Sequence, residues 1–199
     1  YVESDVLVID VVFENHRGLP EVYNEAIDRA GDEDILIFAH DDLFISDLNF
    51  VERVERALAR FDVVGLAGNV RRVARQISWI SADGVKNDDP ENLSGIVAHP
   101  REDGNGIVDI SVYGPSPRAV KILDGVFLAA QVRKLREKSV CFDSRFLFHF
   151  YDVDFCRTCD LQGLTMGTWP IATVHKSSGK YGDAEWSQAG LVYLDKWGE

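Results

Sequence analysis

Three stretches of this chain carry side chains that could hold a divalent cation and move a proton. His40-Asp41-Asp42 sets an imidazole and two carboxyls in a row. Adjacent carboxylates repel each other, and a cation or a basic group relieves that cost. Tyr151-Asp152-Val153-Asp154 puts two more carboxyls at the opening of a predicted helix, and His175 follows a short apolar run. Carboxylate oxygen with imidazole nitrogen suits Mn²⁺ or Mg²⁺, with substrate phosphates completing the shell. Each stretch also has an ordinary structural role: a turn for Asp41-Asp42, a first-turn acid stabilised by ~0.5 kcal/mol of helix dipole for Asp152, and a backbone-bonded core imidazole for His175. His16, His99 and His149 lack a comparable setting.

The elements that must position these groups are legible as patterns. The run Ile35 to Ala39, bounded by acids, reads as a strand buried on both faces, ending in His40-Asp41-Asp42. Before it, Val6 to Phe13 reads as a first strand, and Leu19-Pro20 opens a helix with Val22, Tyr23, Ala26, Ile27 and Ala30 at helical spacing. A second helix, capped by Ser46 or Asp47, has Leu48, Val51, Val54 and Leu58 inward, and Phe61 to Gly68 is another buried strand. This βαβαβ order predicts parallel strands, with ligands outside their carboxyl ends. Residues 83–106 are rich in turn formers, and a hairpin near 94–99 and 107–113 reads as a mobile insertion over the sheet edge. Val120 to Ala130 is a strand interrupted by Asp124-Gly125. A short helix follows over 131–138. The helix over 152–161 turns Val153, Cys156 and Cys159 inward, and Ile171 to Val174 is a last strand ending at His175. The loop 176–182 leads to a terminal helix carrying Trp186, Leu191, Leu194 and Trp197.

Composition narrows the function classes. The 199 residues are 46% hydrophobic and 27% charged, an ordinary globular balance for one domain with a sizeable core. A net charge of −12 argues against nucleic acid bound through a general basic field. No apolar run approaches the ~20 residues of a membrane span, and no secretory signal is visible. The three cysteines, Cys141, Cys156 and Cys159, fit a reducing compartment, so a cytoplasmic protein is expected. The Cys156/Cys159 pair has no further ligands at zinc spacing and reads as buried packing.

The order of the motifs resembles that of family 2 type glycosyltransferases of GT-A fold. The matching stretches are N-x-R-G-L-P-x-x-Y-N-E-A-I from Asn15, the strand ending in H-D-D, D-G-V-F-L-A from Asp124, F-D-x-R-F-x-F-x-F-Y-D-V-D-F-C from Phe142, and V-H-K-S-S-G to Gly179. The resemblance is to a branch with HDD in place of DxD, and it spans nearly the whole chain. It implies an α/β, GT-A-like fold over residues 1–199: a mostly parallel central sheet flanked by helices, with a small β-hairpin insertion. The family's opening strand, which holds the nucleotide base, has no counterpart in the sequence, and Tyr151 stands where the family has Glu.

What the resemblance implies for chemistry is transfer of a sugar from a nucleotide-diphosphate donor to a carbohydrate or other hydroxyl acceptor, with inversion. Asp42 matches the metal-binding acid, with His40, Asp41 and His175 beside the metal or diphosphate. Asp152 matches the general base, and Asp124-Gly125 the strand lining the acceptor side. Arg17 and Lys176 are candidate diphosphate contacts. Trp79 and Tyr113 could stack on a sugar face or pack at an edge. Asp154 is expected to raise the proton affinity of Asp152. The alternatives are a non-catalytic sugar- or protein-binding module of the same fold, and a glycoside hydrolase, which also needs paired carboxyls.

Overall fold

A computed structural model describes residues 7–101, 106–177 and 182–198. Along the chain the elements are α1 (Leu19–Arg29), β1 (Ile35–Ala39), β2 (Leu43–Ile45), α2 (Phe50–Leu58), β3 (Val63–Gly65) and β4 (Ala67–Asn69). Then come β5 (Leu93–Pro100), β6 (Val108–Gly114), β7 (Arg118–Val120), β8 (Ile122–Leu123) and β9 (Phe127–Gln131). The last are α3 (Val132–Glu137), α4 (Tyr151–Leu161), β10 (Met166–Thr168), β11 (Thr173–His175) and α5 (Ala184–Trp197). The protein is mixed α/β, with two sheets. One has the strand order β1-β9-β3-β10-β7 and the other β2-β11-β5-β4-β8, with β6 paired to β5.

The expected mostly parallel sheet is corrected. Among the described residues only β10–β3 and β11–β5 pair in parallel; the other pairings are antiparallel. Apolar runs report burial, not the direction of a neighbour. β1 and β3 do not touch as a βαβ unit would require, because β9 runs antiparallel between them. The run expected over 61–68 is two strands, since the chain leaves the first sheet at Leu66 and enters the second.

The strand expected over 6–13 also does not form over residues 7–13, Val6 lying outside the described residues. Leu7 makes an isolated bridge and 8–13 are irregular, with Val8, Ile9 and Phe13 exposed at 88%, 78% and 82%. β-branched residues favour a strand only where a neighbour completes the ladder. Among the described residues β1 pairs with β9 alone, so β1 is a half-buried edge strand in which only Phe38 is fully buried. α2 begins at Phe50, leaving Leu48 wholly exposed, and its buried face is Phe50, Val54, Ala57 and Leu58. Neither Ser46 nor Asp47 caps it. Asp47 instead accepts from the Asn49 and Ala172 amides.

The hairpin forms as expected, but it is no mere insertion. β5 is an interior strand of the second sheet, pairing with β4, β11 and β6. The loop before it is tied down where Arg71 and Asn69 grip Asp88 at 2.5 and 2.9 Å. The Arg71 guanidinium holds Asp88 well below the usual carboxylate range. Residues 102–105 of the expected mobile segment, and 178–181 of the 176–182 loop, lie outside the described residues.

α4 is fixed by burial on most sides: Tyr151, Val153, Asp154, Phe155, Cys156 and Cys159 are all buried. Its ends meet an aromatic cluster in which Phe142 stacks on Phe155 at 4.1 Å and Tyr23 lies 4.7 Å from Phe38 and 5.8 Å from Tyr151. α5 closes the other side through Tyr193, which is fully buried, whereas Leu191 is 63% exposed. Asp154 cements this docking. Its carboxylate, with no exposure, accepts from Lys196 at 2.7 Å and from the Trp197 indole at 3.0 Å, and Lys196 also reaches Asp143 at 2.7 Å.

A buried carboxylate that loses its partner costs more than the pair contributes. Lys196→Met should therefore destabilise the fold by about 3 kcal/mol in urea denaturation, and adding Asp154→Asn should recover most of it. Additive losses in the double variant would contradict this account of α5 docking.

Candidate functional site

The chain passes from the first sheet to the second between β1 and β2. His40-Asp41-Asp42 is that crossing, a turn closed by the Leu43 amide donating to the His40 carbonyl at 3.2 Å. Across from it β2 pairs antiparallel with β11, with His175 opposite Leu43. The Lys176 amide extends the ladder to the Asp42 carbonyl at 3.1 Å. These bonds bring His175, distant in sequence, beside Asp42: Nε2 lies 3.2 Å from Oδ1. His40, Asp42 and His175 each offer a ligand atom within 4.8 Å of the others, so three of the four residues expected at the metal come together and Asp41 does not join them.

The electrostatics suit a cation. Burial works against the Asp42 carboxylate, but Ser177 and the two imidazoles outweigh it and hold its pKa below the ordinary value. Burial pushes both His40 and His175 down, so both imidazoles are neutral near pH 7, the form that ligates metal. Two nitrogens and one carboxylate fit Mn²⁺ or another transition ion better than Mg²⁺, which prefers oxygen.

A second acidic group sits where β8 gives way to β9. Asp152, in the first turn of α4, accepts from its neighbour Val153 N–H at 2.9 Å and from Gly125 N–H at 3.0 Å. Gly125 allows the approach: a Cβ there would stand 2.4 Å from the Tyr151 hydroxyl and 2.9 Å from Asp152 Cβ. Burial raises the proton affinity of Asp152 despite these bonds. Burial, then the Asp152 charge, push Asp124 up to about 7. The expected influence of Asp154 is corrected, because Asp154 is turned away into the Lys196 network. Asp124, remote in sequence, is the carboxyl coupled to Asp152.

Both groups open into one cleft of about 880 Å³. His40, His175, Lys176, Trp79, Asp124, Gly125 and Asp152 line it. Trp79 is 5% exposed, packs edge-on to Tyr113 at 4.9 Å, and turns its indole N–H toward Asp124 without completing a well-aligned hydrogen bond. Arg17, Asp41 and Asp42 are not among the lining residues, so the triad meets the cleft through its two imidazoles. Arg17 is held by Glu25 at 2.5 Å, and Asp41 is exposed on the outside of the turn.

Two further site residues, His99 and Ser177, have no role in the sequence reading, and Tyr151 is read there only as standing where the family has Glu. His99 lines the cleft and its Nδ1 lies 3.1 Å from the His175 carbonyl. Ser177 binds both the Asp42 carboxylate and His175 Nε2. Tyr151 connects His40 to Gly125. The expectation that His99 lacks a setting comparable to that of His175 is corrected: it closes the strand expected over 94–99 and reaches the same cleft. Comparison with protein-family models gives no match for the chain, and neither does comparison with curated proteins.

The raised Asp124 carboxyl ties stability to pH. An ordinary carboxyl ionises near 3.8 and this one near 7, so between these values the unfolded chain has lost a proton that the folded protein keeps. That contribution is present below about 4 and is lost as pH rises through 7. Parent stability should fall by about 4 kcal/mol relative to Asp124→Asn across that window in urea denaturation. A constant difference between the two proteins would contradict the assignment.

Proposed function

We propose that the chain transfers a sugar from a nucleotide-diphosphate donor to a hydroxyl acceptor, as a GT-A-like, family 2-like glycosyltransferase with inversion. The observation that carries the reading is one cleft that meets two chemically distinct groups: the neutral imidazoles of a triad completed by the Asp42 carboxylate, and a carboxyl pair of high proton affinity. A cation held by His40, Asp42 and His175 would supply Lewis-acid stabilisation of charge on the departing diphosphate. Lys176, exposed beside Asp42, offers a positive charge to the same phosphates.

The carboxyl pair does the proton work. Two coupled carboxyls share protons as a pair. With Asp124 holding its proton up to about pH 7, Asp152 is the member left ionised. Its raised affinity suits a general base, a contribution of ~10²–10⁴ in rate. The Gly125 and Val153 amides fix both its oxygens, which aims it and leaves lone pairs for an acceptor hydroxyl. The Trp79 N–H is a donor ready for a hydroxyl of the bound sugar or acceptor. Gly125, next to Asp124 in the chain, donates its amide to Asp152, and the two carboxyls interact directly, which does not match a glycosidase pair held apart on opposite sides of a sugar. A single base acting from one side supports inversion.

Calorimetry with Mn²⁺ and a nucleoside diphosphate should show metal-dependent binding that Asp42→Ala abolishes. Unchanged affinity in that variant would refute the triad's role. Asp152→Asn should cut transfer at least roughly 100-fold. An amide oxygen can satisfy only one of the two backbone donors, so a stability loss of about 1 kcal/mol should accompany it. Near-normal transfer by that variant would remove Asp152 as base. Absence of transfer by the parent with every nucleotide sugar would favour the binding-module reading instead.

A further inference from the structure

Tyr151 touches both halves of the site, and its hydroxyl has one proton to give. That hydroxyl lies 2.8 Å from the Gly125 carbonyl oxygen and 3.1 Å from His40 Nε2, and it also meets the Tyr23 hydroxyl, which can donate to it. A carbonyl can only accept, whereas an imidazole nitrogen donates or accepts according to tautomer. Were the phenol to donate to His40, its oxygen and the Gly125 carbonyl would face each other lone pair to lone pair. A buried acceptor left that way costs ~1–3 kcal/mol. The proton therefore goes to Gly125, and the phenol oxygen accepts from His40 Nε2–H. Nδ1 is then the one nitrogen of His40 with a free lone pair.

We infer that Tyr151 is a positioning residue of the cation site: by accepting the Nε2–H of His40 it fixes the tautomer that presents Nδ1 to a divalent cation. The ring cannot swing away from this duty. It is 3% exposed, with Tyr23 5.8 Å and Phe142 6.1 Å from it. Gly125 contributes by being glycine, since any side chain there would strike the hydroxyl. Partners of this kind orient metal-ligating histidines and raise their basicity. The inference rests on the cation-binding part of the function proposed above and is independent of sugar transfer.

Tyr151→Phe keeps the ring and deletes the acceptor. Calorimetry with Mn²⁺ alone should show roughly 10–100-fold weaker binding than the parent, with the variant still folded and its melting temperature lowered by a few degrees, because the Gly125 carbonyl loses its donor. Nitrogen-15 NMR of histidine-labelled, metal-free parent protein, above the imidazole titration range, should show the proton of His40 on Nε2, with a tautomer mixture in the variant. Equal Mn²⁺ affinity in parent and variant would overturn the inference, as would a parent His40 protonated on Nδ1. Failure of the parent itself to bind Mn²⁺ would overturn the cation-site reading, and this inference with it.

Discussion

The site depends on the register of one short strand pair. β2 and β11 contribute three residues each, with Thr173 opposite Ile45, Val174 opposite Phe44 and His175 opposite Leu43. Side chains alternate faces along a strand, so a slip of one residue would turn His175 away from Asp42. Several bonds outside the ladder pin the register. The Ser46 amide and hydroxyl both reach the Ala172 carbonyl, Asp47 accepts from the Ala172 amide, and Asp42 accepts from the Lys176 and Ser177 amides through its carbonyl and carboxylate respectively. A pair too short to hold itself is thus clamped at both ends, and the clamp places the ligands.

The two sheets explain why chemistry collects where it does. β1, β3, β7 and β10 lie in the first sheet and are each followed by a strand of the second, while β8 to β9 returns. At such crossings the backbone leaves its ladder, and polar side chains can face a cleft rather than a core. His40-Asp41-Asp42 and Asp124-Gly125 are two of these crossings. A further cost is accepted next to them: Phe150, just before Tyr151, has φ of 66°, a conformation that costs a bulky residue about 1–2 kcal/mol. Packing on Trp186 at 5.3 Å and Tyr193 at 5.7 Å holds it there, over Gly190, where a Cβ would come within 3.2 Å of the ring. The strained residue delivers Tyr151 and Asp152 to the cleft from a helix whose first turn has no side-chain cap.

Much of this was legible in the residues, and the failures have physical causes. Helical spacing announced α1 and α4, turn formers announced the β5–β6 hairpin, and the polar ends of apolar runs announced His40, Asp42 and His175 as a group. Sheet direction was not legible, because an apolar run such as Val63-Val64 looks the same beside a parallel or an antiparallel neighbour. The segment before α1 misled for a related reason: Val8 and Ile9 have strand propensity, and propensity does not supply a partner. Asp154 was chosen over Asp124 as the neighbour of Asp152 because sequence proximity was the one distance at hand. In a helix, residues two apart point to different sides, and Asp154 turns to Lys196 instead. The duty of Tyr151 was hidden because an aromatic residue ahead of a helix reads first as core.

The central claim is that two remote pieces of chain are folded together to hold one cation. The direct measurement is an anomalous difference map from crystals grown with Mn²⁺. The account predicts one strong peak bounded by His40, Asp42 and His175, at the cleft end of β1 and β11. A peak lying among other carboxylates, or none at this triad under saturating Mn²⁺, would contradict it.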